Sequence, residues 1–127
     1  MKYTISVLVE NHAGVLSKVS GLFSRRGFNI DSLAVGVTED PTISRMTIVA
    51  EGDEYVIEQI EKQLNKLIPV IKVKTLEPSE TIARTLSLIK VAAGNGKRAE
   101  VMRISELMGA KIVDVTKTTL TLEFSDT

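Results

Sequence analysis

Apolar residues along this chain change period in a repeating order. From Tyr3 to Glu10, Tyr3, Ile5, Val7 and Val9 share one face while Thr4, Ser6 and Glu10 share the other, which predicts a half-buried strand. Asn11-His12-Ala13-Gly14 interrupts it with turn residues. From Val15 the period becomes helical: Val15, Leu16, Val19, Leu22 and Phe23 form one stripe, with Ser17, Lys18, Ser20 and Ser24 off it. Arg25 and Arg26 suit the negative end of that helix, and Gly27 supplies a left-handed stop. A second strand is predicted over Asn29 to Val37, then a turn at Glu39-Asp40-Pro41 and a third strand over Ile43 to Glu51. Asp53 is the expected N-cap of a second helix, with Val56, Ile57, Ile60, Leu64 and Leu67 as its apolar stripe. Glu58 and Lys62 stand at i,i+4 in the favourable order, and Pro69 is the expected end of the helix. Val70 to Leu76 reads as a fourth strand whose Lys72 and Lys74 suit a sheet edge.

The order βαββαβ is that of the ferredoxin-like split βαβ arrangement, an α+β fold with two helices on one face of a four-stranded antiparallel sheet. This unit spans 1–76, and Glu77-Pro78-Ser79-Glu80 opens a linker over 77–83. From 84 to 127 the same grammar restarts. A strand over Thr85 to Val91 precedes a Gly94-Asn95-Gly96 turn and a helix over Lys97 to Met108, with Val101, Ile104, Leu107 and Met108 expected inward. Gly109 stops that helix, and strands over Ile112 to Val115 and Leu120 to Phe124 form a hairpin. A full second unit would need another helix and strand, roughly 25 residues at typical element lengths. The second domain, βαββ, therefore reads as truncated, as completed by another chain, or as a smaller sheet.

Composition narrows the function. The 127 residues carry 16 basic and 16 acidic side chains, so no net field favours nucleic acid or an anionic membrane. There is no cysteine, which excludes thiol catalysis, disulfides and cysteine-ligated metal. The N terminus runs straight into a strand pattern with no signal-peptide layout, and no apolar run approaches the roughly 20 residues that span a bilayer. A cytosolic location is the default expectation. One histidine, His12, and the lack of GxSxG, HExxH or P-loop sequences leave little catalytic inventory.

The segment that carries chemistry is Asn11 to Leu16. It sets a polar side chain and a glycine between a strand end and a helix start, where unpartnered N–H groups and the helix dipole stabilise a carboxylate. Gly14 allows close approach to the backbone, and the Asn11 side chain offers a donor and an acceptor to an α-amino acid. The pattern alone is met as simply by a turn that starts a helix. His12 has no neighbour able to complete a metal site and reads as a surface loop residue. Arg25 and Arg26 read as a helix-end pair, and Asp31, Ser32 and Arg45 as solvated strand positions, each with docking as the alternative. Ser17 either touches the pocket or faces solvent.

Residues 9–16 (Val-Glu-Asn-His-Ala-Gly-Val-Leu), 21–33, 40–48 and 58–64 together resemble the ACT domain of acetolactate synthase small subunits. Leu88-Ile89-Lys90-Val91 and Ile112-Val113-Asp114-Val115-Thr116 resemble that family's C-terminal domain. The resemblance implies a non-catalytic regulatory subunit that forms a homodimer through its ACT domains. It implies a catalytic acetolactate synthase partner, activated by this chain and carrying the thiamine diphosphate, magnesium and FAD, with no cofactor here. It also implies feedback inhibition by a branched-chain amino acid, usually valine. In that family the effector lies between protomers paired through their second strands. Carried over, Asn11, His12, Ala13, Gly14, Val15 and Leu16 come from one chain and Asn29 and Ile30 from the other. A free-standing ACT sensor for another enzyme is the alternative. An acylphosphatase-like hydrolase would need an arginine in the first strand-to-helix loop, and an RRM-type RNA binder would need aromatics on the third strand; neither is present.

Overall fold

The N-terminal alternation becomes β1 (Lys2–Glu10) in the computed structural model, which describes residues 1–126. It is followed by α1 (Val15–Arg26), β2 (Asn29–Val37), β3 (Ile43–Glu51), α2 (Glu54–Asn65) and β4 (Val70–Thr75). The chain divides into two units, the first covering Met1–Thr81. Its four strands lie in the order β2-β3-β1-β4, all neighbours antiparallel, which is the ferredoxin-like topology. Strands β2 and β4 are therefore the edges.

One sheet face carries the core. Ile5, Val7 and Val9 of β1 and Met46, Ile48 and Ala50 of β3 lie beneath Val15, Val19, Leu22 and Phe23 of α1 and Ile57, Ile60 and Leu64 of α2. Each strand contributes alternate residues because successive side chains point to opposite faces. Phe23 also meets Phe28 edge-on, with ring centroids 6.1 Å apart. Gly27 closes α1 at φ 70, its N–H donating to the carbonyls of Phe23 and Ser24. Asp53 caps α2, its carboxylate accepting from the Val56 N–H at 2.9 Å.

Three details of the first unit depart from the sequence expectation. Helix α2 ends at Asn65, ahead of Pro69, so Leu67 packs on the core from a turn rather than from the helical stripe. Proline disfavours helical backbone in the residue before it, and a turn in which the Leu67 N–H bonds the Leu64 carbonyl absorbs the change of direction. Glu58 and Lys62 form no ion pair among the described residues; α2 is tied instead through Gln63, whose amide oxygen accepts from Arg26 at 2.9 Å. The linker begins with a short 3-10 turn, Pro78–Glu80.

The second unit, from Ile82, contains β5 (Thr85–Ala92), α3 (Arg98–Leu107), β6 (Lys111–Val115) and β7 (Thr119–Asp126). Its sheet runs β5-β7-β6, antiparallel throughout. Here the expected inward stripe of α3 is corrected. Leu107 is 82% exposed and Ile104 and Met108 are also exposed, while Ser105 is buried and donates to the Val101 carbonyl at 2.7 Å. A single helix covers only part of three strands, and an apolar hollow of 260 Å³ lies between α3 and the inner faces of β5 and β7. Ile104 and Met108 border that hollow rather than a closed core.

Candidate functional site

The β1–α1 loop is pinned from both sides before it reaches the helix. Its start is held by the Glu10 N–H on the Pro69 carbonyl at 2.9 Å and the Asn11 N–H on the Thr42 carbonyl at 2.8 Å. The Asn11 side-chain amide donates to the Pro41 carbonyl at 2.9 Å. Asn11 is thus clamped to the β2–β3 turn, and its side-chain oxygen has no partner among the described residues. That turn carries its own hydrogen bonds: the Asp40 carboxylate accepts from the Thr42 hydroxyl at 2.7 Å and the Thr42 N–H at 2.9 Å. Both bonds favour the ionised form and hold Asp40 below the ordinary carboxylate range.

Gly14 then takes φ 87 and ψ −12, the left-handed conformation that glycine adopts without penalty, and no side chain among the described residues caps α1. The Val15 N–H reaches the His12 carbonyl only at 3.5 Å. The Leu16 and Ser17 N–H groups have no partner among the described residues. α1 therefore opens with free donors at the positive end of its dipole, the arrangement that stabilises an anion.

His12 sits beside this opening on the surface. Its Nε2 lies 3.0 Å from Glu10 Oε1 and its Nδ1 3.2 Å from the Ala13 carbonyl. Only the imidazolium can donate to both, so the Glu10 carboxylate first, and the Ala13 carbonyl second, raise the His12 pKa above its ordinary value. No group of three potential metal ligands is assembled among the described residues.

Below the loop is a cleft of 110 Å³ lined by Val9, Glu10, Asn11, His12, Val15, Leu16, Val35, Ser44 and Met46. Four of the expected site residues, Asn11, His12, Val15 and Leu16, line it; Ala13 and Gly14 lie in the loop between them but not in its lining. Asn29 and Ile30 are not brought to it. They pair with Glu51 and Ala50, at the end of the sheet opposite Glu10 and Ile43. Sequence reasoning missed Val35, Ser44 and Met46. Their faces follow from alternation, but their meeting depends on the register that sets Val35 opposite Met46 and Val9 opposite Ser44. Ser44 is 5% exposed and has no hydrogen-bond partner among the described residues, yet its hydroxyl is not sealed off, so it opens on the cleft.

The cleft adjoins an open sheet edge. Among the described residues β2 pairs only with β3, and its inner-face residues Leu33, Val35 and Val37 are all exposed although they continue the core face of the sheet. A long apolar edge strand of this kind is a template for pairing with another chain.

Comparison with known proteins agrees with this picture. The profile of the AHAS small subunit-like ACT domain matches residues 5–72, and that of the small subunit of acetolactate synthase matches residues 84–127. The probable acetolactate synthase small subunit of Archaeoglobus fulgidus is 54% identical over 123 residues, covering 97% of this chain and 77% of that protein. The acetolactate synthase isozyme 3 small subunit of Escherichia coli is 48% identical over 127 residues, covering all of this chain and 78% of the relative. The crystal structure of the acetolactate synthase small subunit from Thermotoga maritima superposes with a TM-score of 0.90 at 40% identity, over 98% of this chain and 78% of that one. The ACT domain of a Chlorobium tepidum GTP pyrophosphokinase shares the fold at 18% identity and a TM-score of 0.53. With both profiles in chain order and near-half identity along its length, this chain belongs to the acetolactate synthase small-subunit family.

Proposed function

We propose that this chain is the regulatory subunit of an acetolactate synthase, binding and activating the catalytic subunit and making it subject to feedback inhibition by valine. The observation that carries the reading is the conjunction of uncapped N–H groups at the start of α1 with an apolar cleft beside the open β2 edge. An α-amino acid matches each part. Its carboxylate accepts from the Leu16 and Ser17 N–H groups, and its ammonium donates to the Asn11 side-chain oxygen and the Ser44 hydroxyl. An isopropyl side chain lies against Val15, Val35 and Met46.

Two protomers paired antiparallel through β2 would bring Asn29 and Ile30 of one towards Val35 and the Gly14 loop of the other. That is why their distance from the loop within one chain supports a shared site. A two-fold contact of this kind uses the same strand from both partners. Occupancy and dimer geometry are then linked: valine shifts the assembly only by binding one arrangement of protomers more tightly than the other. The catalytic chemistry and its thiamine diphosphate reside on the partner subunit.

Isothermal titration of the purified protein with valine, leucine and isoleucine tests the assignment, with Gly14→Asp as the site variant. The expected result is saturable heat with valine that Gly14→Asp removes, because its carboxylate competes for the same N–H groups. No heat with any of the three overturns the effector assignment. Co-purification with the catalytic subunit separates this reading from a free-standing sensor.

A further inference from the structure

The face of the first sheet turned away from the helices holds a second constellation. Three cations from two strands meet there: Arg45 on β3, and Lys72 and Lys74 on β4, with β1 between them. The register sets Arg45, Leu8 and Lys72 in one cross-strand row and Thr47, Ser6 and Lys74 in the next. At the usual strand spacing Arg45 and Lys72 are about 10 Å apart at the backbone, within converging reach of their side chains. Ser6, Leu8, Arg45, Lys72 and Lys74 line a hollow of 220 Å³.

None of these cations has an ion pair among the described residues, whereas Lys2, on the same face, is held by Asp31 at 2.8 Å. Glu39 borders an adjacent hollow beyond Arg45 but does not pair with it. Protection of a sheet edge accounts for lysines on β4. It does not account for Arg45, which stands on an interior strand between Leu8 and Gly36. With 16 basic and 16 acidic residues overall, the cluster does not follow from a general excess of positive charge. Unneutralised like charges converging on one hollow repel, and an anion between them removes that cost.

We propose that this hollow is a binding site for a multivalent oxyanion of the phosphate class. The Arg45 guanidinium supplies paired donors, Lys72 and Lys74 supply point charges, and Ser6, which also lines the hollow, adds a hydroxyl. The site is on the opposite sheet face from the amino-acid cleft, so the two ligands do not compete for the same atoms.

The test is isothermal titration of the full chain with inorganic pyrophosphate and with inorganic phosphate in low-salt buffer. One saturable site per chain is expected, with pyrophosphate tighter than phosphate because it spans more of the cations. Arg45→Gln should weaken pyrophosphate by about tenfold, the scale of one charge-assisted contact, while Lys2→Gln leaves it unchanged. Valine binding should be the same in Arg45→Gln as in the parent, so the two sites stand or fall separately. Unsaturable heat, equal loss in Lys2→Gln, or no loss in Arg45→Gln overturns the proposal. Loss of catalytic-subunit capture in Arg45→Gln without any anion affinity in the parent also overturns it, and makes this face a protein-docking surface.

Discussion

Replacing Gly14 with alanine separates backbone strain from ligand binding, because Gly27 provides a matched control. Gly14 has φ 87 and Gly27 has φ 70, and a Cβ built on either meets nothing within 4 Å. Neither substitution causes a clash, so each costs only the penalty of left-handed backbone, about 1–2 kcal/mol. For a unit of this size that lowers Tm by about 4–16 °C, read by calorimetry. The functional outcomes diverge. In the proposed site the left-handed backbone at Gly14 aims the Leu16 and Ser17 N–H groups at the carboxylate, and alanine strains that backbone. Loss of one charge-assisted hydrogen bond, about 1.5–3 kcal/mol, weakens valine about tenfold or more. Gly27 closes the other end of α1 and is remote from the cleft, so Gly27→Ala keeps the parent affinity. Equal loss of valine affinity in both variants would make the effect one of general stability and refute the site. Full affinity in Gly14→Ala would refute it as well.

Four further outcomes follow from the same geometry. Val35→Lys places a charge on the exposed β2 edge, where Val35 is 48% accessible, so the chain stays folded but runs as a monomer by light scattering and loses valine binding. The His12 imidazole should titrate above its ordinary value by NMR and return towards it in Glu10→Gln. Because the folded-state pKa is raised, the stabilisation from this pair is fully present below the unfolded pKa, while Glu10 is ionised. It is lost as pH rises through the folded pKa. Asp53→Ala removes the α2 cap and should cost about 1 kcal/mol in denaturant unfolding, with Asp53→Asn costing less. Phe23, 1% exposed and set edge-on to Phe28, should cost about 3–5 kcal/mol as Phe23→Ala.

Much of the first unit was legible because its local signals agree with one another. Asp53 as a cap, Gly27 as a stop and the alternation of Ile5, Val7 and Val9 each act within a few residues, and the structure uses them as expected. Register was not legible. Nothing local to Ser44 or Val35 says that they meet at the foot of the β1–α1 loop, since that depends on which residues of three strands stand side by side. The clamp of Asn11 on Pro41 spans 30 positions and was equally hidden; it turns a residue expected to offer both donor and acceptor into an anchored one with a free oxygen. In the second unit the helical period of α3 was correct. What covers Leu107 and Met108, however, is set by how much sheet lies beneath one helix and not by period.

The central claim is that one effector site is built from two protomers, and subunit mixing tests it most directly. Gly14→Asp disables the loop, and Asn29→Ala disables the contribution expected from the facing strand. Each variant alone should bind no valine by titration. Mixed after dissociation and reassembly, they should form hybrid dimers in which one site carries both defects and the other carries none, so valine binding returns with the parent affinity. If the mixture stays as silent as its two components, or if Asn29→Ala alone binds as the parent does, the shared site is contradicted.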